Sequence, residues 1–185
     1  MNSESSFSFN KSQIYDFTGI KSHLDENAKT FDGKPFFRKM THNNAEKRIA
    51  RILKYNPHPN IVSIYDVSFD HIDIELVNPL YDTTYENKKK IQETFRDVKT
   101  HLQVLRIVYF DWKYDNIGVS EDGEFKLFDF DCSGIASLNQ KEKLWEIVPF
   151  NGYSYRKCKE KEIISPYKMD DYAFQHFNLQ FYFFF

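Results

Sequence analysis

Two acidic stretches that flank a predicted β-hairpin constrain this chain more than any other feature. The sequence DWKYDN occupies positions 111–116 and DFD occupies 129–131, with a Glu-Asp-Gly turn between two strand-like pieces separating them. A hairpin returns the chain to its starting point, so Asp111, Asn116 and Asp129 are expected to lie close together. Carboxylate and amide oxygens bind Mg²⁺, and a carboxylate can accept the proton of a hydroxyl. Phosphoryl transfer needs these groups from a protein.

The composition is typical of a globular protein without a strong preference for charged partners. Of 185 residues, 41% are hydrophobic and 28% are charged, and this length suits one domain or two small lobes. The net charge of −2 provides no field that favours nucleic acid or an anionic membrane surface. The 19 Phe and 12 Tyr residues give a small protein a large apolar area to bury.

The cysteines and the hydropathy pattern indicate the cellular location in which the protein is expected. Cys132 and Cys158 match neither a disulfide framework nor a zinc spacing, which favours an intracellular, reducing location such as the cytoplasm of a host cell. The polar N-terminus has no signal-peptide core, and no apolar run approaches the ~20 residues that span a bilayer. The aromatic stretch at 177–185 is expected either to pack on the domain or to form a patch that binds a partner protein in a hetero-oligomer.

The order of predicted elements is that of an α+β protein, because strands and helices do not alternate as βαβ units. Asn44 is expected to cap the first helix, and an apolar stripe marks the second. The prediction is a disordered tail at 1–12, strand-like stretches within 14–39, a strand at 35–40, a helix at 45–55, antiparallel strands at 61–69 and 72–77, a strand break at Asn78-Pro79, a helix at 88–108, the hairpin at 117–128, and a helix near 170–179.

The sequence YFDWKYDN at 109–116 resembles the catalytic loop, H-R-D-x-K-x-x-N, of eukaryotic-type protein kinases, and Asp129-Phe130-Asp131 resembles their D-F-G segment. The resemblance implies that Asp111 accepts or orients the proton of the substrate hydroxyl. It also implies that Lys113 offsets charge on the γ-phosphate, and that Asn116 and Asp129 bind Mg²⁺.

Three residues depart from the kinase pattern in these segments. Tyr109 and Phe110 stand where the family has His and Arg, and Asp131 stands where it has Gly. A Tyr could pack in the His position. The missing Arg leads to the hypothesis that activity does not depend on activation-loop phosphorylation. Asp131 either joins the Mg²⁺ ligands or turns to solvent, and the second alternative is favoured.

The N-terminal half resembles the nucleotide-binding part of the same family with less specificity. Lys39 is the candidate for the ATP-phosphate lysine and Glu46 for its partner, although seven residues between them require a shortened helix. The alternative is that both are surface residues. Arg38 is a second candidate that strand alternation directs to the opposite face. The resemblance also implies that backbone groups from Glu75 to Val77 contact adenine.

The resemblance implies a two-lobe kinase-like fold, with an N-lobe at 13–77, made of a small antiparallel sheet and one helix, and a reduced, mostly helical C-lobe at 78–185. No G-x-G-x-x-G precedes Lys39, and the large lobe is short, as in compact, divergent kinase-like proteins of large DNA viruses. Asp170 resembles the residue that anchors the catalytic-loop backbone in the family.

Three functions remain open from the sequence. The first is an ATP- and Mg²⁺-dependent protein kinase-like transferase that acts on Ser or Thr hydroxyls. The second is a catalytically inactive pseudokinase that binds a partner protein. The third is a small-molecule kinase, for which a D-F-D ending is suitable.

Overall fold

The computed structural model describes residues 35–80 and 84–179. Within these ranges the chain forms four α-helices and three small antiparallel sheets of three strands each. This agrees with the α+β prediction. The expectations for the tail at 1–12, for the strand-like stretches before residue 35 and for the end of the aromatic stretch at 180–185 lie outside the described residues.

The first sheet and the first helix contain the predicted N-terminal site residues. Strands β1 (Phe36–Met40), β2 (Ile64–Val67) and β3 (His71–Glu75) pair in the order β1-β3-β2, and both pairings are antiparallel. Helix α1 (Asn44–Tyr55) follows β1 directly and packs against β2. The predicted strands at these positions are confirmed, although β2 and β3 are shorter than expected.

The cap of α1 lies one residue earlier than predicted. The side chain of Asn43, not that of Asn44, accepts hydrogen bonds from the backbone N–H groups of Ala45 (2.9 Å) and Glu46 (3.3 Å). The side-chain nitrogen Nδ2 of Asn43 also donates to the carbonyl of Asp131 at 3.1 Å. This second contact favours Asn43 over Asn44 as the cap. Glu46 therefore lies in the first turn of α1, where the helix dipole favours a carboxylate.

Helix α2 (Tyr85–Val104) begins and ends earlier than the predicted helix at 88–108. Four members of its predicted apolar stripe, Ile91, Phe95, Val98 and Leu102, are buried. The fifth, Leu105, lies just beyond the helix as its C-cap and is partly buried. The helix ends because Arg106 takes a left-handed conformation with φ of 63°, which the chain uses to turn into a strand.

Short strands form two further sheets after β3. The predicted hairpin is confirmed as β6 and β7, and Asn78-Pro79 is not a simple strand break, because it pairs with β6. In the described residues after position 78, the three helices contain more residues than the strands do, as expected for a mostly helical C-terminal part. The short strands at 107–108, 134–136 and 145–147 were not predicted, since apolar runs of two or three residues carry too little periodicity to be recognised as strands. The elements are β4 (Asn78–Pro79), β5 (Ile107–Val108), β6 (Ile117–Val119), β7 (Phe125–Leu127), β8 (Gly134–Ala136), β9 (Trp145–Ile147), α3 (Tyr153–Glu160) and α4 (Pro166–Leu179).

An aromatic cluster around Trp112 joins the loop at 109–116 to helices α2 and α4. The indole contacts the rings of Tyr109 and Phe174, each at a centroid distance of 4.8 Å, and those of Phe95 and Phe177 at 6.3 Å. Phe177 is buried, as expected if the aromatic stretch begins by packing on the domain. The four α-helices of the described ranges include none with the length and apolar character of a membrane span.

Candidate functional site

Lys39 joins three parts of the chain that are far apart in sequence. Its Nζ atom lies 2.5 Å from Oε1 of Glu46 on α1 and 2.7 Å from Oδ1 of Asp129, which follows β7. The side chains of all three residues are largely buried, with exposed fractions of 17%, 5% and 16% for Lys39, Glu46 and Asp129. The structure thus brings Lys39 and Glu46 together, because α1 begins so close to β1 that a separation of seven residues is enough. Neither residue is a surface residue.

Strand β1 directs Lys39 and Arg38 to opposite sides, as alternation predicts. The guanidinium of Arg38 donates to both carboxylate oxygens of Asp73 at 2.7 and 2.8 Å, away from Glu46 and Asp129. Arg38 therefore has a structural partner on the neighbouring strand β3, and Lys39 is the cation of the candidate site.

The electrostatics favour a charged Lys39. Burial lowers the pKa of Lys39, but the attraction of Asp129 and then of Glu46 outweighs burial and raises the pKa above its ordinary value. Burial also raises the pKa of Glu46, against the opposing effect of Lys39. We take the lysine as charged at neutral pH, because two carboxylates lie within hydrogen-bond distance of it.

Asp129 has a backbone conformation that is rare for residues other than glycine. Its φ is 61°, in the left-handed region, which Asp and Asn occupy more readily than other side chains. Among the residues at 35–80 and 84–179, only Arg106 and Glu162 share this feature without being glycine. Asp131 does not, so the absence of Gly at that position causes no strain here. The turn directs the Asp129 carboxylate towards Lys39.

The loop at 109–116 holds its predicted residues close to one another. Oδ2 of Asp111 accepts a hydrogen bond from Nδ2 of Asn116 at 2.8 Å and lies 2.7 Å from Nζ of Lys113. Burial opposes the charge of Lys113, but Asp111 and, less strongly, Asp129 raise its pKa. Lys113 is therefore within the electrostatic reach of both acidic stretches.

The orientation of the Asn116 amide is well determined by its surroundings. Its nitrogen faces three acceptors: the Asp111 carboxylate, the Asp111 carbonyl at 2.9 Å and the Tyr109 hydroxyl oxygen at 3.0 Å. The amide oxygen is then the atom that would contact a cation. The Asn116 carbonyl accepts the backbone N–H of Phe128 at 3.0 Å, which places the loop beside the residue that precedes Asp129.

Tyr109 links the two acidic stretches. Its hydroxyl donates to the carbonyl of Phe128 at 2.9 Å and accepts from Asn116, while its ring contacts Phe130 edge-on at 5.2 Å. Burial raises the pKa of Tyr109 far above its ordinary value, and the carboxylates of Asp129, Asp111 and Asp131 add to the effect. The hydroxyl therefore remains protonated, and Tyr109 occupies the linking position that the sequence resemblance assigns to His.

Replacing Tyr109 by Phe is expected to destabilise the fold by about 1–3 kcal/mol, because it removes a buried hydroxyl with two partners and leaves the Phe128 carbonyl without its donor. Urea unfolding measures this change. Tyr55→Phe is the matched control, since Tyr55 is 81% exposed, and it should alter stability by less than ~0.5 kcal/mol. Equal stabilities of the two variants would contradict the linking role of Tyr109.

Asp131 faces the site, so the expectation that it turns to solvent is wrong. One oxygen of its carboxylate, one of the Asp111 carboxylate and the sulfur of Cys132 all lie within 4.8 Å of one another. Burial and then Asp131 raise the pKa of the Cys132 thiol, which keeps it protonated and unsuited to a soft metal. The oxygen donors nearby, by contrast, suit a hard cation.

These donors match the coordination chemistry of Mg²⁺. Carboxylates of Asp111, Asp129 and Asp131 and the amide oxygen of Asn116 are hard oxygen ligands of the kind that Mg²⁺ takes. Such an ion would neutralise charge on phosphate oxygens.

Glu75 has partners that differ from the predicted ones. Its backbone N–H donates to the carbonyl of Ser63 at 2.8 Å, and its carboxylate accepts from Ser63 and from Lys126 at 3.1 Å. This N–H is therefore already used within the protein, and the contact of backbone groups from Glu75 to Val77 with adenine stays a prediction. The prediction for Val77 stays open. Val77 packs tightly on β6, where a Cβ at Gly118 would lie 2.3 Å from it.

Asp170 contacts the candidate catalytic loop through a side chain instead of the backbone. Its two carboxylate oxygens accept from the indole of Trp112 and from Gln103, both at 3.2 Å, and Lys99 lies 3.9 Å away. Burial raises the pKa of Asp170 to about 7, because Lys99 and the hydrogen bonds offset only part of the desolvation.

Asp170 should make stability depend on pH. The pKa is raised on folding from its ordinary value of 3.8 to about 7, so the folded state binds the proton more tightly and loses stability as pH rises between these values. The free energy of unfolding of wild type should fall between pH 4 and pH 7 because of this group. In Asp170→Asn this fall should be smaller by about 2 kcal/mol or more.

Chemical denaturation at several pH values measures this slope. Asp171→Asn is the control, because Asp171 is exposed and shares the partner Lys99 at 2.5 Å. It should keep the wild-type slope. The same slope in Asp170→Asn would show that Asp170 is ionised throughout this range in the folded protein.

Two contributors to the site were not predictable from the sequence. Asn43 ties the start of α1 to Asp131. Glu146 on β9 pairs with Arg48 of α1 and with Arg106, which precedes β5. Each contact joins residues 30 or more positions apart, and local patterns do not report such distances.

Comparison with known proteins supports part of the resemblance. No protein-family model matches the chain. Mitogen-activated protein kinase 14 of Xenopus laevis is similar to it, with 32% identity over 123 residues, covering 57% of this chain and 33% of the kinase. The chain therefore spans about a third of the length of that relative. The similarity supports a protein-kinase-like relationship, with which the mixed α/β structure, its small antiparallel sheets and its four helices are compatible. Such a relationship implies the use of ATP and Mg²⁺ in general.

Proposed function

We propose that the chain is a two-lobed, kinase-like phosphotransferase that moves the γ-phosphate of ATP to Ser or Thr hydroxyls of a protein. Residues 13–77 would form the small lobe and residues 78–185 the large one. The substrate class, the lobes and the roles of individual residues are parts of this proposal.

The position of Lys39 between Glu46 and Asp129 is the observation that carries the proposal. An ammonium with two carboxylates, at 2.5 and 2.7 Å, is held at a fixed point between the sheet, α1 and the acidic stretch after β7. A buried cation with one carboxylate in excess suits a site that takes up a polyanion together with a divalent cation. The pocket beside these three residues has an apolar wall that includes Ile72, Ile74 and Phe130.

Each residue of the site has a role that follows from its chemistry. Lys39 would contact the phosphate oxygens of the nucleotide, and Glu46 would hold it in place. Asp129 and Asn116 would bind Mg²⁺, which screens phosphate charge when bound.

Asp111 and Lys113 would act at the hydroxyl group of the substrate that accepts the phosphate. The carboxylate of Asp111 would accept or orient the hydroxyl proton, and Lys113, which lies 2.7 Å from it, would offset negative charge on the transferred group.

One observation favours a second function, that of a nucleotide-binding pseudokinase that engages a partner protein without transfer. Asp111 already accepts from Asn116 and Lys113, so a substrate hydroxyl must displace or share these partners. Transfer of phosphate to a small molecule is a third possible function. In the labelling experiment below, it would place the label on a small molecule instead of a protein.

The decisive experiment combines binding and turnover on the full chain. Incubation with γ-³²P-labelled ATP, Mg²⁺ and a dephosphorylated protein mixture should label Ser and Thr residues, and a chelator should abolish labelling. Mg²⁺–ATP at ~100 times its dissociation constant should stabilise the fold by about 2.7 kcal/mol. Stabilisation without transfer would overturn the transferase and support the binding module. The absence of both would overturn both.

A further inference from the structure

Glu146 on β9 receives guanidinium groups from two separate elements. Nη1 of Arg106 lies 2.7 Å from Oε2 of Glu146 and also donates to the carbonyl of Ala136 at 2.9 Å. Nη2 of Arg48, on α1, contacts Oε1 of the same carboxylate. One side chain thus connects the segment after the acidic stretch, the turn before β5 and helix α1.

The surroundings of this carboxylate favour its charged form. The hydrogen bond from Arg106 lowers the pKa of Glu146, and Arg48 adds to the effect. Arg106 is held in a left-handed conformation, with φ of 63°, which costs free energy for a residue with a long side chain. The ion pair between Arg106 and Glu146 is thus formed although the backbone conformation of Arg106 is unfavourable.

A second contact fixes β9 from the other side. Trp145, next to Glu146, is buried against Phe110, with ring centroids 6.1 Å apart, and Phe110 precedes Asp111 directly. The side chains of Trp145 and Glu146 thus tie β9 both to the candidate catalytic loop and to α1.

Helix α1 transmits this contact to the nucleotide site. Arg48 lies only two residues after Glu46 on the same helix, and Glu46 reaches Lys39 at 2.5 Å. A helix moves as a rigid body over such a short distance, so a force on Arg48 also acts on Glu46. The described elements that pack most closely on α1 are β2 and β8.

We infer that Glu146 is a positioning residue, which through Arg48 and Arg106 holds α1 in the place where Glu46 engages Lys39. The inference rests on the proposed function for its consequence in catalysis, but its structural part does not. The Glu146 carboxylate supplies the negative charge that binds Arg48 and Arg106. Phosphorylation of the segment between Asp131 and α3 is therefore not needed to position α1.

The test compares Glu146→Gln, Arg48→Gln and the double variant with wild type. The first measurement is the acylation rate of the Lys39 amine, read by mass spectrometry of the Lys39 peptide, because release from Glu46 exposes the amine. Each single variant should raise this rate by roughly two- to fivefold, which is the range expected for partly exposed ion pairs. The double variant should add little to the single ones, since the residues act as a pair.

The second measurement separates kcat from KM. Loss of α1 positioning should lower kcat by roughly two- to fivefold, whereas phosphatase treatment of wild type should leave kcat unchanged. Glu160→Gln is the matched control, because Glu160 is an exposed glutamate on α3 that pairs with Lys157 only in its own helix. It should leave both the acylation rate and kcat at wild-type values.

The outcomes distinguish this inference from the proposed function. If wild type transfers no phosphate but Glu146→Gln still raises Lys39 acylation, the proposed function fails and the positioning role stands. If transfer occurs and the acylation rate and kcat of Glu146→Gln equal those of Glu160→Gln, the positioning role is overturned. Additive effects in the double variant would also contradict it, since Glu146 and Arg48 would then act independently.

Discussion

Replacing Asp111 by Asn is expected to lower phosphate transfer by about three orders of magnitude or more, with nucleotide affinity changed only a fewfold. Asn has nearly the same shape as Asp but cannot accept a proton. Its amide would also present N–H groups to Asn116 and Lys113, which now donate to the Asp111 carboxylate at 2.8 and 2.7 Å. The loss therefore combines a missing base with a disturbed arrangement of charge.

The matched control for this prediction is Asp115→Asn. Asp115 lies in the same loop, carries the same charge and is exposed, so the substitution should leave transfer within about twofold of wild type. Initial rates at saturating Mg²⁺–ATP, together with nucleotide affinity from thermal shifts, measure both variants. Equal rates in Asp111→Asn and wild type would remove Asp111 from the chemistry, and another group would have to accept or orient the hydroxyl proton.

The sequence predicted those parts of the structure that depend on local pattern. The hairpin between the acidic stretches was predictable because its turn and both short strands are contiguous. Strand β1 and helix α1 follow from alternation and from an apolar stripe, and their closeness explains why Lys39 can reach Glu46 on the first helical turn. The pairing of Lys39 with Glu46 was thus predictable, whereas the contact of Lys39 with Asp129 was not, and the roles of these residues remain a proposal.

Long-range contacts decided where the predictions failed. Asn43 and Asn44 are equivalent as caps in the sequence, and the distant carbonyl of Asp131 distinguishes them. The end of α2 depends on Arg106, whose left-handed turn is stabilised by Glu146, 40 residues later. Asp131 faces Asp111 and not the solvent because of the turn at Asp129. The left-handed conformation is taken by Asp129, two positions before Asp131, which stands where the motif has Gly.

The departures from the kinase pattern support one another in the structure. Tyr109 reaches the Phe128 carbonyl with a hydroxyl, as the His of the pattern would with a ring nitrogen. Phe110 replaces an arginine and packs on Trp145, while Arg106 supplies a guanidinium to the neighbouring Glu146. Two substitutions that look damaging in the sequence are therefore accompanied by contacts that keep the same segments together. This is the physical reason to expect a folded and positioned site despite the divergent motif.

Replacing Lys39 by Met should abolish nucleotide-dependent stabilisation, lower transfer by about 10²-fold or more, and destabilise the fold by about 3 kcal/mol at pH 8. The stability loss arises because Glu46 and Asp129 lose the cation between them, and Glu46 is 5% exposed. Burial already raises the pKa of Glu46, and removal of Lys39 raises it further. The variant's Glu46 therefore takes up a proton as pH falls, so the loss of stability should be smaller at pH 5 than at pH 8.

A second substitution separates the two effects of Lys39. Lys39→Met/Glu46→Gln removes the unpaired buried charge, so it should recover much of the stability at pH 8, whereas transfer should stay low because no cation meets the phosphates. Lys54→Met is the control, because Lys54 is a half-buried lysine of α1 that lies 3.8 Å from the single carboxylate of Asp66, and it should change stability by less than ~1 kcal/mol. If Lys39→Met left nucleotide affinity and turnover at wild-type values, another cation would have to hold the phosphates. Arg38 could not serve without giving up its bidentate bond to Asp73, so the site itself would have to lie elsewhere.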